Sequence, residues 1–367
     1  MLLNKVSREA LLKPLSAVSG IVERRQTLPV LSNVLLEQRA GVLSLTATDL
    51  EIQITATTQL EGEAPQGFTV AARKFQDLLK ALPEEAVLRL EATDTKLTLK
   101  AGRSRYQLQT LPAANFPRIE TSAEQRQRLG FPQKTLRRIL HLVEFAMAQQ
   151  DVRYYLNGLL LVIEGQTLIA VATDGHRLSY AATPLEGTFE RQEVIIPRKT
   201  VQELSKLLED SDAPVVLDIL ANQVRLSFND IEVVSKVIDG KFPDYNRVIP
   251  VGYTRHVALN RALLLQTLQR AAILANEKFR GVRLVLSSGS LRIICNNAEQ
   301  EQAEEEIEVD YQGAELDVGF NITYLQDVLT HLDTNEITLS FGDSGSSALI
   351  TIPDRTDYKY VVMPMRI

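Results

Sequence analysis

Residues 171–180 read VATDGHRLSY, placing Asp174, His176, Arg177 and Ser179 within six positions. Taken alone, the stretch offers the parts of a hydrolytic site. The rest of the chain gives it another context. TATDLEIQI at 46–54 repeats its opening, and Asp49 and Asp174 lie 125 residues apart. Upstream, Asn33-Val34-Leu35-Leu36 corresponds to Asn157-Gly158-Leu159-Leu160 at a spacing of 124. Downstream, Asn115-Phe116-Pro117 corresponds to Lys241-Phe242-Pro243 at a spacing of 126. A fainter third copy places Phe279-Arg280-Gly281-Val282 where the second has Leu156-Asn157-Gly158-Leu159, and Ile293-Ile294-Cys295-Asn296-Asn297 in place of the ATD strand. Self-similarity at a fixed period marks a fold built from one repeated unit.

Each copy carries the same pattern of elements. Apolar residues at helical spacing, such as Leu136, Ile139, Leu140 and Val143, predict opening helices over 8–22, 133–148 and 261–275. Second helices are expected over 73–82, 198–208 and 322–332. Between them, alternation such as Leu43-Ser44-Leu45-Thr46 and Leu97-Thr98-Leu99-Lys100 predicts half-buried strands. The fold class is therefore α+β, with two helices against antiparallel sheet, three times over. Boundaries near Glu120 and Pro250 give domains 1–121, 122–250 and 251–367. No low-complexity linker separates them.

With 45% hydrophobic residues, no Trp and 6% aromatics, the cores must be aliphatic. The single cysteine, Cys295, cannot form an internal disulfide, which fits a reducing compartment. Lys5, Arg8 and Glu9 interrupt any signal-peptide apolar region, and no apolar run approaches the ~20 residues of a membrane helix. A cytoplasmic location is expected.

The net charge of −6 argues at first against nucleic acid, but charge is sorted by secondary structure. The helical segments with their flanks, 7–25, 72–81, 132–148, 197–209, 260–275 and 321–332, hold fifteen Lys and Arg against seven Asp and Glu, a net +8, so the remainder carries −14. Glu suits exposed helix faces as well as Lys or Arg does, yet is scarce here. A phosphate backbone responds to the local field. Arg24, Arg25, Arg73, Lys74, Arg137, Arg138, Arg198 and Lys199 lead the candidates. No zinc-finger spacing, recognition helix or RRM motif accompanies them, so contact would be with phosphates and indifferent to sequence.

Two prospective strands carry opposite charge. EQEQAEEEIE at 299–308 holds six Glu, whereas GRSRYQLQ at 102–109 sets Arg103 and Arg105 beside Tyr106 and Leu108. An acidic edge in the last copy and a basic edge in the first are complementary head to tail, and such a contact closes into a ring where the rotation allows. The alternative is a solvated acidic strand that blocks edge aggregation.

RRQTLPVLSNVLL at 24–36, ATDLE at 47–51, FAMAQQDVRYYLNG at 145–158, TDGHRL at 173–178, GKFPDYNRVIP at 240–250, NEKFRGVRL at 276–284 and YVVMPMRI at 360–367 together resemble the bacterial sliding clamps, the beta subunits of DNA polymerase III. The resemblance spans the whole chain. It implies a head-to-tail homodimer forming a six-domain ring. Helices line a hole around duplex DNA, which is held without sequence specificity. A clamp-loader ATPase opens the ring, and the ring acts as a processivity factor for the polymerase catalytic subunit. Other polymerases and repair proteins dock through short linear peptides.

By the same resemblance, the TDGHRL loop belongs to a peptide-binding pocket between the second and third domains. The residues carried over are Leu156, Thr173, Gly175, His176, Arg177, Leu178, Pro243, Arg247, Val248, Asn321, Tyr324, Val361, Met363, Pro364, Met365 and Arg366. DNA contacts fall on Arg24, Arg73, Gln150, Tyr154, Tyr155, Arg198 and Lys199. Inter-subunit contacts fall on Lys74, Arg103, Arg105, Tyr106 and Leu108 against Ile273, Leu274, Glu299 and Glu305. Gln149 stands where relatives can have a His, and Gly345 where an apolar lining residue is expected, which predicts a shallower pocket edge.

The pocket set makes chemical sense. Its Leu, Val and Met side chains suit apolar anchors of several partners, Met being flexible and polarizable. Arg177 and Asn321 are expected to orient a bound segment. The enzyme alternative centres on Asp174, His176 and Ser179, whose closeness in sequence looks more like a turn than a triad. Histidines 141, 176, 256 and 331 have no metal-ligand spacing, and no P-loop or GxGxxG occurs, so no metal, cofactor or catalytic residue is expected.

Overall fold

The computed structural model describes residues 2–23, 28–60, 66–93 and 95–366. Its helices are α1 (Arg8–Ser19), α2 (Ala72–Ala81), α3 (Gln133–His141), α4 (Arg198–Leu207), the one-turn α5 (Tyr245–Val248), α6 (Arg261–Ala271) and α7 (Ile322–His331). The opening helices of the second and third copies stop before the ends that periodicity predicts. Each tightens into a short 3-10 turn, at Glu144–Ala146 and Ala272–Leu274. The apolar spacing continues through those turns, which is why the sequence reads as unbroken helix.

By packing, the chain divides into two units, Met1–Lys134 with Gln202–Val237 and Thr135–Val201 with Ile238–Ile367. The first unit is built on a twelve-stranded antiparallel sheet. In it, strand Ile52–Gln59 of the first copy pairs with Ile231–Lys236, the last strand of the second copy, in the register Gln53↔Val234. The second unit repeats that join. Strand Arg177–Pro197 pairs with Tyr358–Val362, the last strand of the third copy, with Leu178 opposite Val361. The packing division cuts across the repeats because the last strands of the second and third copies each extend the preceding copy's sheet.

A separate four-stranded sheet in the second unit runs in the order Gln302–Glu308, Ser290–Asn296, Gly281–Ser287, Leu316–Asn321. The cores are aliphatic, as composition requires, with Leu11, Leu15, Leu35, Leu45, Leu159, Leu161, Leu284 and Leu329 among the fully enclosed side chains.

Helix arginines tie the copies internally. The Arg8 guanidinium at the start of α1 donates to Leu79 O near the end of α2 at 2.9 Å. Arg261 at the start of α6 donates to Leu329 O of α7 at 2.7 Å. Both carbonyls lie in the last turn of their helix, where partners within the helix run short, and Leu79 O also accepts from Leu82 N at 3.3 Å. Arg73 donates to Val22 O and Arg198 to Met147 O, each at 2.9 Å, and both pairs sit at matching repeat positions. Part of the basic excess in the helices therefore has a structural task.

Candidate functional site

The stretch 173–177 forms a tight turn held by its own side chains. Asp174 Oδ1 accepts from His176 N at 2.9 Å and Arg177 N at 3.0 Å. Thr173 Oγ1 donates to Arg177 O at 2.6 Å and accepts from Gly175 N at 3.1 Å. Gly175 has φ +88°, a left-handed conformation that favours glycine. Ser179 is fully buried, with its hydroxyl donating to Leu142 O at 2.7 Å, whereas the His176 side chain is exposed. Asp174, His176 and Ser179 thus do not assemble a triad.

Beside the turn opens a cleft of about 410 Å³, lined by Arg153, Tyr155, Leu156, Thr173, Gly175, His176, Arg177, Leu178, Pro243, Val248, Ser347, Val361 and Met363. Its floor is core: Leu156, Leu178 and Val361 belong to one buried cluster with Phe242 and Tyr245. Its rim carries exposed apolar groups, Val248 at 44% and Met363 at 48%. The chain's last strand reaches the turn through Met363 N, which donates to His176 O at 2.9 Å. An apolar floor with a few polar groups at the rim suits insertion of one or two hydrophobic side chains of a partner segment.

Arg177 serves the cleft differently from the sequence expectation. Its Nε donates to Asp174 Oδ2 at 3.1 Å, its Nη2 to Phe145 O at 2.7 Å, and its Nη1 to Asp327. Its guanidinium lies 4.4 Å from the Tyr324 ring centroid. Burial works against its charge, but nearby Tyr360, Asp327 and Asp174 more than offset that and raise its pKa. Arg177 is a wall tie, with its donors turned into the protein rather than toward a ligand.

Other residues assigned by resemblance lie outside the lining. Asn321 caps α7, accepting from Thr323 N at 2.9 Å. Arg247 pairs with Asp244 at 3.1 Å. Tyr324 stacks on Arg177. Met365 N bonds to Gly319 O at 2.8 Å, and Pro364 and Arg366 flank it.

The cleft instead includes Arg153, which the sequence reading missed. Asp151 accepts from Arg153 Nε at 3.0 Å and Nη2 at 2.8 Å, which holds the Asp151 carboxyl down to about 2. The signal was present as Asp-Val-Arg, a spacing that allows a two-pronged pair inside one turn. Ser347, two residues beyond Gly345, supplies the edge where an apolar residue was expected.

The DNA candidates are scattered over local roles. Tyr154 is exposed and Tyr155 half-buried, with rings edge to face at 5.8 Å. Gln150 is exposed at φ +56°, and Arg73 is exposed while Arg198 and Lys199 are half-buried. Arg24 and Arg25 lie outside the described residues.

The two charged strands are both edges. Ser104–Pro112 pairs along 104–109 with Lys96–Ala101, and only its end, 110–112, meets Gln66–Ala71. Arg105, Tyr106 and Leu108 therefore lie where no described strand covers the outer side, with exposed Arg103 in the preceding turn. Gln302–Glu308 terminates the four-stranded sheet. Ile273 is exposed and Leu274 half-buried next to it, Glu299 is exposed, and Lys74 is exposed on α2. Glu305 is already engaged, accepting from Arg270 twice at 2.7 Å.

Comparison with known proteins gives one consistent picture. Family models for the DNA polymerase III beta subunit match in sequence: the N-terminal domain over 3–120, the central domain over 130–244 and the C-terminal domain over 246–366. The chain is 49% identical over 365 residues to the beta sliding clamp of Pseudomonas putida and 45% identical over 363 residues to that of Escherichia coli, covering 99% of each chain. Among solved structures, a sliding clamp of Pseudomonas aeruginosa bound to griselimycin superposes with a TM-score of 0.95 at 47% identity, with full coverage of both chains. A Caulobacter crescentus beta sliding clamp, with PEG bound to a putative beta-motif tethering region, gives 0.94 at 37% identity, covering 99% of this chain and 98% of that one.

Proposed function

The chain belongs to the DNA polymerase III beta-subunit family, and from that membership we propose that it is a sliding clamp: two copies join head to tail around duplex DNA and tether the replicative polymerase. Three domains per copy, 1–121, 122–250 and 251–367, supply the six segments of the ring. Arg24, Arg73, Gln150, Tyr154, Tyr155, Arg198 and Lys199 face DNA in this reading. Contacts to phosphates alone let the ring hold DNA without reading it. A clamp-loader ATPase supplies the energy of ATP hydrolysis that opens the ring, because the clamp itself carries out no reaction, and the clamp works in the cytoplasm. Among the described residues, no helix is long and apolar enough to cross a membrane.

The cleft beside 173–177 carries the docking half of the reading. Its floor of Leu156, Leu178 and Val361 and its rim of Val248 and Met363 would take the apolar anchors of short peptides from polymerases, repair proteins and the loader. The oppositely charged edges support the dimer. Arg103 and Arg105 with Tyr106 and Leu108 in one copy would meet Glu299, Glu305, Ile273 and Leu274 of the next, adding strand to strand across the join. The Arg270–Glu305 pair then has to be shared or exchanged at that contact.

Retention on a nicked circular plasmid tests the mechanism. After loading with a bacterial clamp loader and ATP, the protein is expected to stay on the circle in high salt and to leave once the circle is cut. Equal retention on circular and linear DNA would mean an open basic surface, whose binding salt alone removes.

A further inference from the structure

The copies share a skeleton, so a position that is buried in the second copy and exposed in the third has changed its use. Leu156 of the second copy is 1% exposed. The third copy has Phe279 there, 60% exposed. The alignment holds in the hydrogen bonds. Asn157 O accepts from Arg198 N, the first residue of α4, at 3.0 Å, and Arg280 O accepts from Ile322 N, the first residue of α7, at 2.8 Å. Asn157 and Arg280 are therefore equivalent, and so are Leu156 and Phe279, one position before them.

The exposure of Phe279 does not come from a loose loop. Asn276 Oδ1 accepts from Lys278 N and Phe279 N, both at 3.0 Å, and Asn276 O accepts from Arg280 N at 2.8 Å. Arg280 is fixed at φ +51°. This turn presents three exposed side chains together: Lys278, Phe279 and Arg280. Lys278 Nζ lies 5.4 Å from the Phe279 ring centroid. Glu277 is the loop's one acidic residue, so 276–280 carries a net +1. The loop opens the same strand position that Gln150–Tyr155 opens in the second copy, where Tyr154 is also exposed.

We propose that the loop Asn276–Arg280 is a further nucleic-acid contact that holds unpaired nucleotides, with a base stacked on Phe279 and phosphates on Lys278 and Arg280. An aromatic face beside two cations is the pairing that single strands recognise, because every base has a π-face and every linkage a charge. Inside intact duplex the bases are already stacked on one another, so Phe279 has purchase only where the strand is single. The template beside a primer end is such a place. This inference rests on the clamp reading, in which DNA passes this protein at a primer–template junction.

The test titrates full-length protein with a labelled single strand, a primer–template with an overhang, and a blunt duplex. Phe279→Ala is expected to weaken the first two about 10-fold and to leave the blunt duplex unchanged. Phe279→Tyr keeps the ring and is expected to bind like wild type, which separates stacking from a folding defect. Lys278→Ala and Arg280→Ala are each expected to weaken the single strand and the overhang more than the blunt duplex, and to lower the salt slope of the first two by about one. Wild-type binding of the overhang by Phe279→Ala overturns the proposal, as does equal weakening on overhang and blunt duplex. Loss of affinity for purified polymerase or clamp loader with overhang binding intact also overturns it, since Phe279 would then face protein. Plasmid retention judges the clamp reading separately. If wild type stays on circles and leaves cut ones while Phe279→Ala binds overhangs normally, only the loop assignment fails.

Discussion

The turn at 48–52 and the turn at 173–177 are the same object with different surroundings. Thr48 Oγ1 donates to Ile52 O at 2.9 Å, as Thr173 does to Arg177 O. Asp49 Oδ1 accepts from the two backbone N–H groups that follow Leu50, each at 2.9 Å, as Asp174 does after Gly175. Each turn also receives the last strand of the next copy: Lys236 N donates to Glu51 O, and Met363 N to His176 O, both at 2.9 Å. The side chains then part company. At the first turn Lys236 pairs with Glu51 at 3.0 Å, and Gln53 accepts from Ile119 N at 3.0 Å, drawing the connecting segment toward the sheet. At the second turn the corresponding residues are Met363, His176 and Leu178, and all three line the cleft. Backbone chemistry makes the join, whereas side-chain polarity decides whether the join also offers a binding surface.

The comparison breaks most visibly at Arg177, whose counterpart Ile52 is simply buried. Arg177→Ala removes donors to Asp174, Asp327 and Phe145 O, and leaves Asp327, only a third exposed, without its cation. The expected loss is about 2–3 kcal/mol, below the range for a fully buried pair, read by chemical denaturation. A loss under about 0.5 kcal/mol would show that the wall of the cleft stands without this tie. Next in size, Met363→Ala with Met365→Ala is expected to weaken a polymerase-derived peptide at least 10-fold, about 1.4 kcal/mol, while dimer formation stays unchanged. Unchanged peptide affinity in a calorimetric titration would sink the pocket assignment. Lys236→Met, the matching change at the first join, is expected to create no peptide binding there.

The fold was legible because the repeat was. Asp49 and Asp174 at a spacing of 125 point to one unit copied, and helical and alternating periods inside each copy locate its elements. The edge strands were legible from charge alternation alone. Pairing between copies was not, since Ile231–Lys236 and Tyr358–Val362 read as ordinary closing strands and nothing local states which sheet they join. The floor of the cleft, Leu156, Leu178 and Val361, could not be told from core by composition, because it is core on its inner side. Resemblance, rather than periodicity, singled these residues out. The tie that Arg177 makes was hidden for a related reason. A charged residue in a loop suggests a ligand contact, and only the folded chain brings Phe145 and Asp327 to its donors. The helix charge count likewise overstated the surface available to phosphate, since Arg8 and Arg261 turn inward to carbonyls.

The smallest effects sharpen the comparison at its pivot, where the second turn has Gly175 at φ +88° and the first has Leu50 at φ +77°. Gly175→Leu installs the first turn's residue in the second. A Cβ there meets the Arg153 guanidinium at 2.8 Å, so the arginine has to leave its place over the turn. With a left-handed non-glycine added, the expected loss is about 1–2 kcal/mol of stability and a several-fold loss of peptide affinity. The reverse change, Leu50→Gly, removes a strained leucine that is 37% exposed and buries little. It is expected to be neutral or to stabilise the first unit by up to about 1 kcal/mol, because relief of left-handed strain is opposed by the greater freedom of glycine in the unfolded chain. A loss beyond about 1 kcal/mol in the same denaturation assay would mean that Leu50 makes contacts worth more than its strain. The two turns would then differ in packing as well as in what they present to a partner.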